Sequence, residues 1–332
     1  MNDATGAARR AIATRRTARA PGRRMVGLAV FWALLIAAPF WLPLVHSYTD
    51  LGTRVLIFAL AAMGLNLVLG YTGGLSFGQA AYFGLGAYGA GLTLRYWSHN
   101  MWLALAAGVL LGGIAATLIG PLVMRRRGIY FAMITIAVGQ MFYFVAVRWT
   151  SFTGGEDGLS GFQREPLTLF GHSLTLTSTP YYYFVLFFFA IGCFVLYRIL
   201  NSPLGHSFVA VRENARRLEF LGVKVERLVW ISFAISGFIT ALAGALEAML
   251  NNFTSPLELN WILSGDFVII CVLGGMRNFW GPFVGAIIYV VVQDYVSSVT
   301  QNWMTVIGLI FVLAVLFFPR GLLGFLPRRR ST

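Results

Sequence analysis

The chain has 332 residues, of which 58% are hydrophobic and only 11% are charged. A soluble domain carries about 25% charged residues, so this composition excludes a protein that covers itself with a water-facing surface. Lysine and arginine outnumber aspartate and glutamate by 25 to 12. These basic residues cluster in short loops between apolar runs, which indicates membrane topology rather than nucleic-acid binding.

Ten apolar segments predict an all-α fold, a polytopic transmembrane helical bundle. Most of them approach the roughly 20 residues that a helix needs to cross the hydrocarbon core. In chain order the segments are 25–46, 53–70, 76–94, 101–124, 128–149, 180–200, 228–250, 262–274, 282–299 and 303–319. The eighth is too short to cross alone as a straight helix. We therefore expect about ten spans, or eight if one adjacent pair forms a re-entrant hairpin.

The basic residues assign an orientation to these spans. With the N-terminus inside, 21 of the 25 basic residues fall in inside segments and 4 fall outside, in accord with the positive-inside rule. The N- and C-termini are therefore predicted to be cytoplasmic. The predicted division is a disordered basic cytoplasmic arm 1–24, a transmembrane domain 25–320 that includes a cytoplasmic loop 201–228, and a basic cytoplasmic tail 321–332.

Residues 70–91, GYTGGLSFGQAAYFGLGAYGAG, contain eight glycines and no charge. They are not a phosphate-binding P-loop, because that motif ends in G-K-[ST] and the only lysine of the chain is Lys224. One interpretation is helix packing, because small residues spaced by four let two helix backbones approach in a membrane. The residues with this spacing are Gly70, Gly74 and Gly78, and Gly86 and Ala90 repeat the step.

The other interpretation is a helix broken at Gly73 and Gly74. Broken helices at membrane depth are tolerated where they line a cavity, and they mark substrate paths. Ser76 and Gln79 are the polar groups expected to face such a path. Two further small-residue stripes, in residues 237–245 and 273–286, indicate tight packing elsewhere in the bundle.

The largest inside loop, residues 201–228, predicts a short amphipathic helix. It begins at Ser202-Pro203 and ends at Gly222, a position typical of glycine just beyond a helix. Glu213 and Arg217 are four apart and can form an ion pair. Such a helix either lies on the lipid surface or docks into a soluble partner. Its apolar stripe is Leu204, Phe208, Val211, Ala215, Leu218 and Leu221.

Six motifs occur in an order that closely resembles one known family. They are YTGGLSFGQAAYFGLGAY, RRGIYFAMITIAVGQMF, SFTGGEDGLSG, SPLGHSFVAVRENARRLEFLGV, VLGGMRNFWGPFVGA and FFPRGLLGF. The family is the LivM-type permease subunit of ABC importers for branched-chain amino acids, and the resemblance covers residues 50–326. It implies a multi-pass protein of the bacterial inner membrane, surrounded by lipid.

The resemblance also implies partners and a source of energy. Permeases of this family work with a second, LivH-like permease subunit, two cytoplasmic ATP-binding subunits and an extracytoplasmic substrate-binding protein. ATP and Mg²⁺ would bind to the partner subunits, so no cofactor is expected in this chain. Transport would follow alternating access, with closure of the two ATPases changing the side on which the bundle is open.

Family permeases carry a degenerate E-A-A…G loop that contacts the ATPase. Glu213, Ala215 and Gly222 match it, and Asn214 between the first two departs from the usual spacing. The residues expected to couple to the ATPase are Arg212, Glu213, Asn214, Ala215 and Gly222. The residues expected along the translocation path are Gly73, Gly74, Ser76, Gln79 and Asp266.

Three carboxylates, Glu247, Asp266 and Asp294, fall within or near spans seven to nine. Intramembrane carboxylates are costly and often functional, so a proton-coupled secondary transporter of small solutes is the alternative function. Glu247 lies near the outer end of its span, where it is expected to reach water. The residue spacings favour neither an enzyme nor a metal site, and they leave open which amino acid or amide is carried.

Overall fold

The computed structural model describes residues 21–41, 48–124, 128–163, 167–169, 172–174, 177–317 and 321–325. The chain divides into two units, residues 1–47 and 48–332. The first unit contains helix α1, Pro21–Ile36, followed by a short turn of helix, Ala38–Trp41. Most of the predicted arm, the triple-arginine loop and the end of the predicted tail lie outside the described residues.

The second unit is helical in most of its described part. Its helices are α2 Thr49–Asn66, α3 Gln79–Leu92, α4 Met101–Val123, α5 Ile129–Arg148, α6 Ser178–Leu200, α7 Pro203–Phe220, α8 Val225–Asn251, α9 Trp261–Gly274, α10 Gly281–Val299 and α11 Trp303–Phe317. Helices α2 and α3 continue as π-helical turns, Leu67–Thr72 and Thr93–Trp97. Shorter helical turns are Thr150–Thr153, Gly155–Asp157, Pro256–Leu259 and Leu322–Phe325.

The predicted all-α bundle is confirmed with one small addition. Two three-residue strands, β1 Leu167–Leu169 and β2 His172–Leu174, pair antiparallel within the long loop before α6. Within the described ranges, six helices are long and apolar enough to cross a membrane, namely α2 with its π turn, α4, α5, α6, α8 and α10. Helices α9 and α11 are apolar but shorter, so the count of about ten spans and the cytoplasmic termini stay predictions.

Helix α2 lies at the centre of the second unit. The most apolar stretch of α2 and its π turn is 94% buried by protein, whereas that of α5 is only 28% buried. Helices α8, α6, α10 and α9 all pack against α2. Three rings at its middle, Phe58, Phe83 and Phe267, meet at centroid distances of 5.4 to 6.3 Å. A membrane helix shielded in this way can carry groups that lipid would exclude.

Close backbone contact between α8, α3 and α4 explains the small residues of these helices. A side chain at Gly244 in α8 would overlap the carbonyl of Phe83 in α3, and one at Gly237 would overlap Ala116 in α4. Lipid supplies no hydrophobic drive for helix association, so close van der Waals contact must hold the helices together. The predicted packing role of residues 237–245 is confirmed.

Loops that the sequence assigns to the same side of the membrane contact one another at each end of the unit. At one end, Arg95 donates to the Ser160 carbonyl at 3.0 Å, and Leu159 forms a β-bridge with Thr254. At the other end, the Asn278 amide donates to the Leu323 carbonyl at 3.2 Å. The first end holds loops assigned to the outside and the second holds loops assigned to the inside; we call them the outer end and the inner end.

Candidate functional site

The glycine-rich stretch breaks the chain between two helices. Helix α2 ends in its π turn at Thr72, and Gly73 then takes a left-handed conformation with φ 87° and ψ 15°. Residues 73–78, here called the glycine break, are not helical, and α3 begins at Gln79. Since glycine alone adopts positive φ without steric cost, Gly73 is the residue that permits this stop.

This geometry decides between the two interpretations of the glycines. A shared helical face for Gly70, Gly74 and Gly78 is wrong, because the chain leaves the helix after Thr72. The predicted packing role does hold for Gly86, whose added side chain would overlap the Ala241 backbone. The glycine break therefore occurs at the predicted position, while whether it lines a substrate path stays a prediction.

Helix α7 contacts the glycine break through Arg212. The Arg212 guanidinium donates a hydrogen bond to the Gly70 carbonyl, 142 residues away in the chain. A methyl group added at Gly73 would lie only 2.9 Å from the Arg212 Cγ. A residue predicted for ATPase coupling and one predicted for the path therefore touch each other.

Helix α7 is two helical segments joined by a kink. Asn214 has φ −158° and ψ 90°, and its side-chain oxygen accepts from the Arg217 backbone N–H at 3.0 Å. Asn214 thus caps the start of the second segment, a role for which asparagine is strongly preferred. The predicted single continuous helix is wrong, because this side chain competes with the helical backbone for hydrogen bonds.

The end of α7 follows the sequence prediction closely. Gly222 has φ 80°, its N–H donates to the Glu219 carbonyl at 2.9 Å, and the Val223 N–H donates to the Leu218 carbonyl at 3.0 Å. These two bonds form a Schellman motif, which satisfies the last carbonyls of the helix. The predicted apolar stripe is only half buried, because Phe208 and Val211 are buried and Leu221 is 72% exposed.

Glu213 faces a different partner from the predicted one. Its carboxylate lies 3.8 Å from the Arg277 guanidinium in the turn between α9 and α10. The expected pairing with Arg217 is replaced because the kink at Asn214 removes the four-residue helical register. Both side chains are partly exposed, so the pair contributes at most about 1 kcal/mol. Its consequence is geometric, since it links α7 to a second loop.

The turn that holds Arg277 is also tied to α2. Arg277 itself has φ 70°, a strained conformation for a residue other than glycine. The Asn66 amide of α2 donates to the Asn278 carbonyl of this turn at 3.1 Å. Helix α2 with its π turn, α7 and the 275–280 turn are thus joined by polar contacts at the inner end, and α7 packs against the glycine break.

A cavity of about 480 Å³ opens where these elements meet. Its lining includes Gly73 and Gly74 from the glycine break, Arg212 and Ala215 from α7, and Glu226 from the start of α8. The remaining lining residues are Leu69, Thr72, Met124, Gly128, Phe131, Val211, Val229 and Met276. This inner cavity joins predicted path residues to predicted coupling residues, which makes it the candidate functional site.

Ser76 and Gln79 are buried beside this site but are not among the residues that line the inner cavity. The Ser76 hydroxyl accepts from the Gly78 N–H at 3.3 Å, and the Gln79 amide oxygen accepts from the Thr240 hydroxyl at 3.2 Å. The Gln79 Nε2 group is buried and has no partner in the described part of the chain. An unsatisfied buried donor costs about 1 to 3 kcal/mol.

Asp266 is not brought to the inner cavity. It lies half-buried on α9 and interacts with Tyr289 of α10. Two residues earlier, the Ser264 hydroxyl accepts from the Ala80 N–H at the start of α3, at 2.8 Å. Helix α9 therefore contacts the chain just beyond the glycine break, but through Ser264 rather than through Asp266.

Glu247 does not reach water, contrary to the sequence prediction. It is 3% exposed, and its carboxylate lies 3.5 Å from the Arg54 Nε and accepts from the Asn251 amide at 3.2 Å. Helix α2 supplies Arg54 from one side and α8 supplies Asn251 from the next turn. Position near the end of a helix does not give access to water where a neighbouring helix, here α2, covers the side chain.

Sequence reasoning missed a second cavity, of about 250 Å³, at the outer end of α2, α8 and α10. Its polar lining includes Asp50 and Arg54 of α2 and Asp294 of α10, and the Tyr48 hydroxyl donates to Asp294 at 2.6 Å. That hydrogen bond raises the pKa of Tyr48 to about 12, so Tyr48 stays protonated and donates at neutral pH. Arg54, a charge inside an apolar run, was the available signal.

The sequence of the chain is similar to those of known transport proteins. The family described as "Branched-chain amino acid transport system / permease component" matches residues 47–316. The high-affinity branched-chain amino acid transport system permease protein LivM of Escherichia coli is 29% identical over 88% of this chain and 73% of its own length. The corresponding LivM of Salmonella typhimurium is 28% identical over the same shares of the two chains.

More distant relatives carry other names. The probable branched-chain amino acid transport permease protein LivH of Methanocaldococcus jannaschii is 24% identical over 83% of this chain and 94% of its own length. The autoinducer 2 import system permease protein LsrC of an Enterobacter species is 28% identical over 78% of this chain and 76% of its own. No solved structure matches the chain significantly.

Proposed function

This chain belongs to the family of permease components of branched-chain amino acid transport systems, and on that premise we propose that it is the membrane-spanning subunit of an ABC importer. It translocates branched-chain or related amino acids by alternating access, and separate ATPase subunits drive it. The LivM relatives and the six apolar helices confirm the sequence prediction of an inner-membrane permease. Import direction, ATPase coupling and substrate are our proposals.

One observation carries the coupling proposal: the contact of Arg212 with the glycine break. A movement of α7 transmits to the end of α2 through the hydrogen bond from Arg212 to Gly70 and through the close packing on Gly73. Because packed elements have discrete arrangements rather than continuous ones, such a movement shifts the inner end between arrangements. The inner cavity is where that shift changes access.

The exposed tip of α7 supports docking to a soluble partner. Phe220 is 90% exposed and Leu221 is 72% exposed, next to the left-handed Gly222. These apolar side chains lie at the end of a helix that contains exposed charges and is not one of the candidate spans. Protein interfaces are enriched in such aromatic residues, so we propose that an ATPase subunit covers this tip.

The proposed complex contains a LivH-like second permease, two ATP-binding subunits and an extracytoplasmic substrate-binding protein. ATP and Mg²⁺ bind to the ATPase subunits in this proposal, and the permease itself uses no cofactor. Closing two ATPases around nucleotide supplies the several kcal/mol that a near-complete shift of a two-state equilibrium requires.

The alternative of proton-coupled transport loses its motivation. Glu247 is paired with Arg54, Asp266 interacts with Tyr289, and Asp294 accepts a hydrogen bond from Tyr48. Each carboxylate that motivated the alternative therefore has a structural partner, and we do not propose it.

The test is ATP hydrolysis by the complex reconstituted in nanodiscs with its ATPase subunits and binding protein. We expect Glu213→Ala and Gly222→Pro to abolish substrate-stimulated hydrolysis while the permease still inserts normally. Asp157→Ala is the matched control, because Asp157 is an exposed acid at the outer end. Unchanged stimulation in both inner-end variants would contradict the coupling proposal, and uphill transport by the isolated chain on an ion gradient would refute an ABC mechanism.

A further inference from the structure

The outer cavity has the size and lining of a site for a small polar ligand. Its volume of about 250 Å³ is below the roughly 300 to 1,000 Å³ of sites for drug-sized molecules. Three helix ends form it, and they belong to α2, α8 and α10. Leu51, Leu250 and Val290 supply an apolar part, and the rest of the lining is polar or charged: Tyr48, Asp50, Arg54, Asn251, Gln293 and Asp294.

Two carboxylates approach this cavity from different elements. One oxygen of Asp50 is buried and has no hydrogen-bond partner among the described residues. Asp294 is held by the Tyr48 hydroxyl at 2.6 Å through one of its oxygens. A buried carboxylate oxygen without a donor is costly, so a ligand that brings N–H donors to Asp50 would recover that cost.

A guanidinium lies in the same cavity. Arg54 contacts Glu247 through its Nε, and its side chain remains 45% exposed. A guanidinium has five N–H donors, more than the single Glu247 oxygen can accept, so Arg54 retains donors for a second carboxylate. Glu247 is 3% exposed, and its other oxygen has no partner in the described ranges; the pair fixes Arg54 at the cavity wall.

We propose that the outer cavity is a binding site for a zwitterionic α-amino acid. Asp50 and Asp294 hold the ammonium group, Arg54 holds the carboxylate, and the three aliphatic side chains accept an aliphatic side chain. The inference rests on the proposed function and names the place where the permease receives its substrate. The inner cavity lies at the opposite ends of α2 and α8, so the two cavities mark the two ends of the transport route.

The direct test is binding of radiolabelled L-leucine to the assembled permease complex in nanodiscs, without the substrate-binding protein. The variants are Asp50→Asn and Asp294→Asn, which keep the shape of each side chain and remove its charge. The matched control is Asp157→Asn, an exposed acid at the outer end that does not line the cavity. Two competitors separate the charges: 3-methylbutylamine has only the ammonium, and 4-methylpentanoate has only the carboxylate.

We expect each cavity variant to weaken leucine binding by about tenfold or more, as for loss of a hydrogen bond to a charged group, and Asp157→Asn to leave it unchanged. In the variants, 3-methylbutylamine should no longer compete with leucine for binding, and 4-methylpentanoate should still compete. Assembly is checked by size-exclusion chromatography; if Asp50→Asn does not assemble, Asp294→Asn carries the test, because Asp294 is only partly buried.

The outcomes separate this inference from the proposed function. Undiminished leucine binding in both cavity variants overturns the site, and so does a wild-type complex that imports leucine with ATP yet binds none without the binding protein. In both cases the importer proposal stands. A wild-type complex that shows no ATP-driven uptake of any amino acid overturns the proposed function itself, whatever it binds.

Discussion

The contact between Gly73 and Arg212 makes a quantitative prediction for Gly73→Ala. The left-handed backbone at φ 87° costs about 1 to 2 kcal/mol for a residue other than glycine. The new methyl group would lie 2.9 Å from the Arg212 Cγ, and relieving such overpacking costs about 1 to 3 kcal/mol more. We expect a total destabilisation of about 2 to 5 kcal/mol.

Gly161→Ala separates the two contributions. Gly161 has φ 86° and no atom within 4 Å of an added methyl group. Gly161→Ala should therefore lose only the free energy of the left-handed backbone, about 1 to 2 kcal/mol. The double variant Gly73→Ala/Arg212→Ala removes the crowding while the strained backbone remains. A double-mutant cycle then isolates the contact, and we expect a coupling of about 1 to 3 kcal/mol.

The assays are the melting temperature of the purified complex and its leucine-stimulated ATP hydrolysis in nanodiscs. The methyl group pushes Arg212 away from the Gly70 carbonyl, so Gly73→Ala should lose stimulation as well as stability. Gly161→Ala should lose a little stability and keep its stimulation. If the two single variants behave alike in both assays, the contact between α7 and the glycine break has no role in coupling.

Three further predictions concern other parts of the molecule. Arg54→Ala should lower stability by about 1 to 3 kcal/mol, because it leaves the buried carboxylate of Glu247 without its cation. The loss is smaller than for a fully buried pair because the Arg54 side chain is 45% exposed. Burial and the nearby Glu247 carboxylate raise the pKa of Glu258 in the loop before α9, so Glu258→Gln should raise the melting temperature at pH 7. Gly244→Ala should destabilise by about 1 to 3 kcal/mol or prevent assembly, because its methyl group overlaps backbone. Thermal melts of the purified complex check all three.

Each of these predictions has its own control. Arg54→Leu/Glu247→Leu should recover much of the stability that Arg54→Ala loses, and no recovery would mean that the pair is not the cause. A carboxyl group whose pKa is raised in the folded state contributes stability at pH values below its pKa in the unfolded chain, and this contribution is lost as the pH rises through its folded pKa. Near pH 4 the Glu258 carboxyl is largely protonated, so the gain from Glu258→Gln must vanish there. Gly308→Ala meets no atom within 4 Å and should be neutral or slightly stabilising.

Features that depend on neighbouring residues in the chain could be predicted from sequence. The apolar runs predict helices because a backbone in lipid must satisfy its own hydrogen bonds. Gly222 was correctly placed at the end of α7, and Gly73 at the break, because a left-handed residue is a local requirement that glycine meets. Asn214 is a local signal as well, because asparagine is a preferred capping residue and the kink in α7 follows from its cap.

Only the tertiary structure decided which residues meet across the chain. The contact of Arg212 with Gly70 joins residues 142 apart, and that of Tyr48 with Asp294 joins residues 246 apart. Neither carries a periodic signal, because a polar contact between two helices depends on their relative rotation and depth, which side-chain packing sets. For the same reason, the burial of Glu247 against Arg54 and the outer cavity depend on how α2, α8 and α10 pack together, which the sequence does not specify locally.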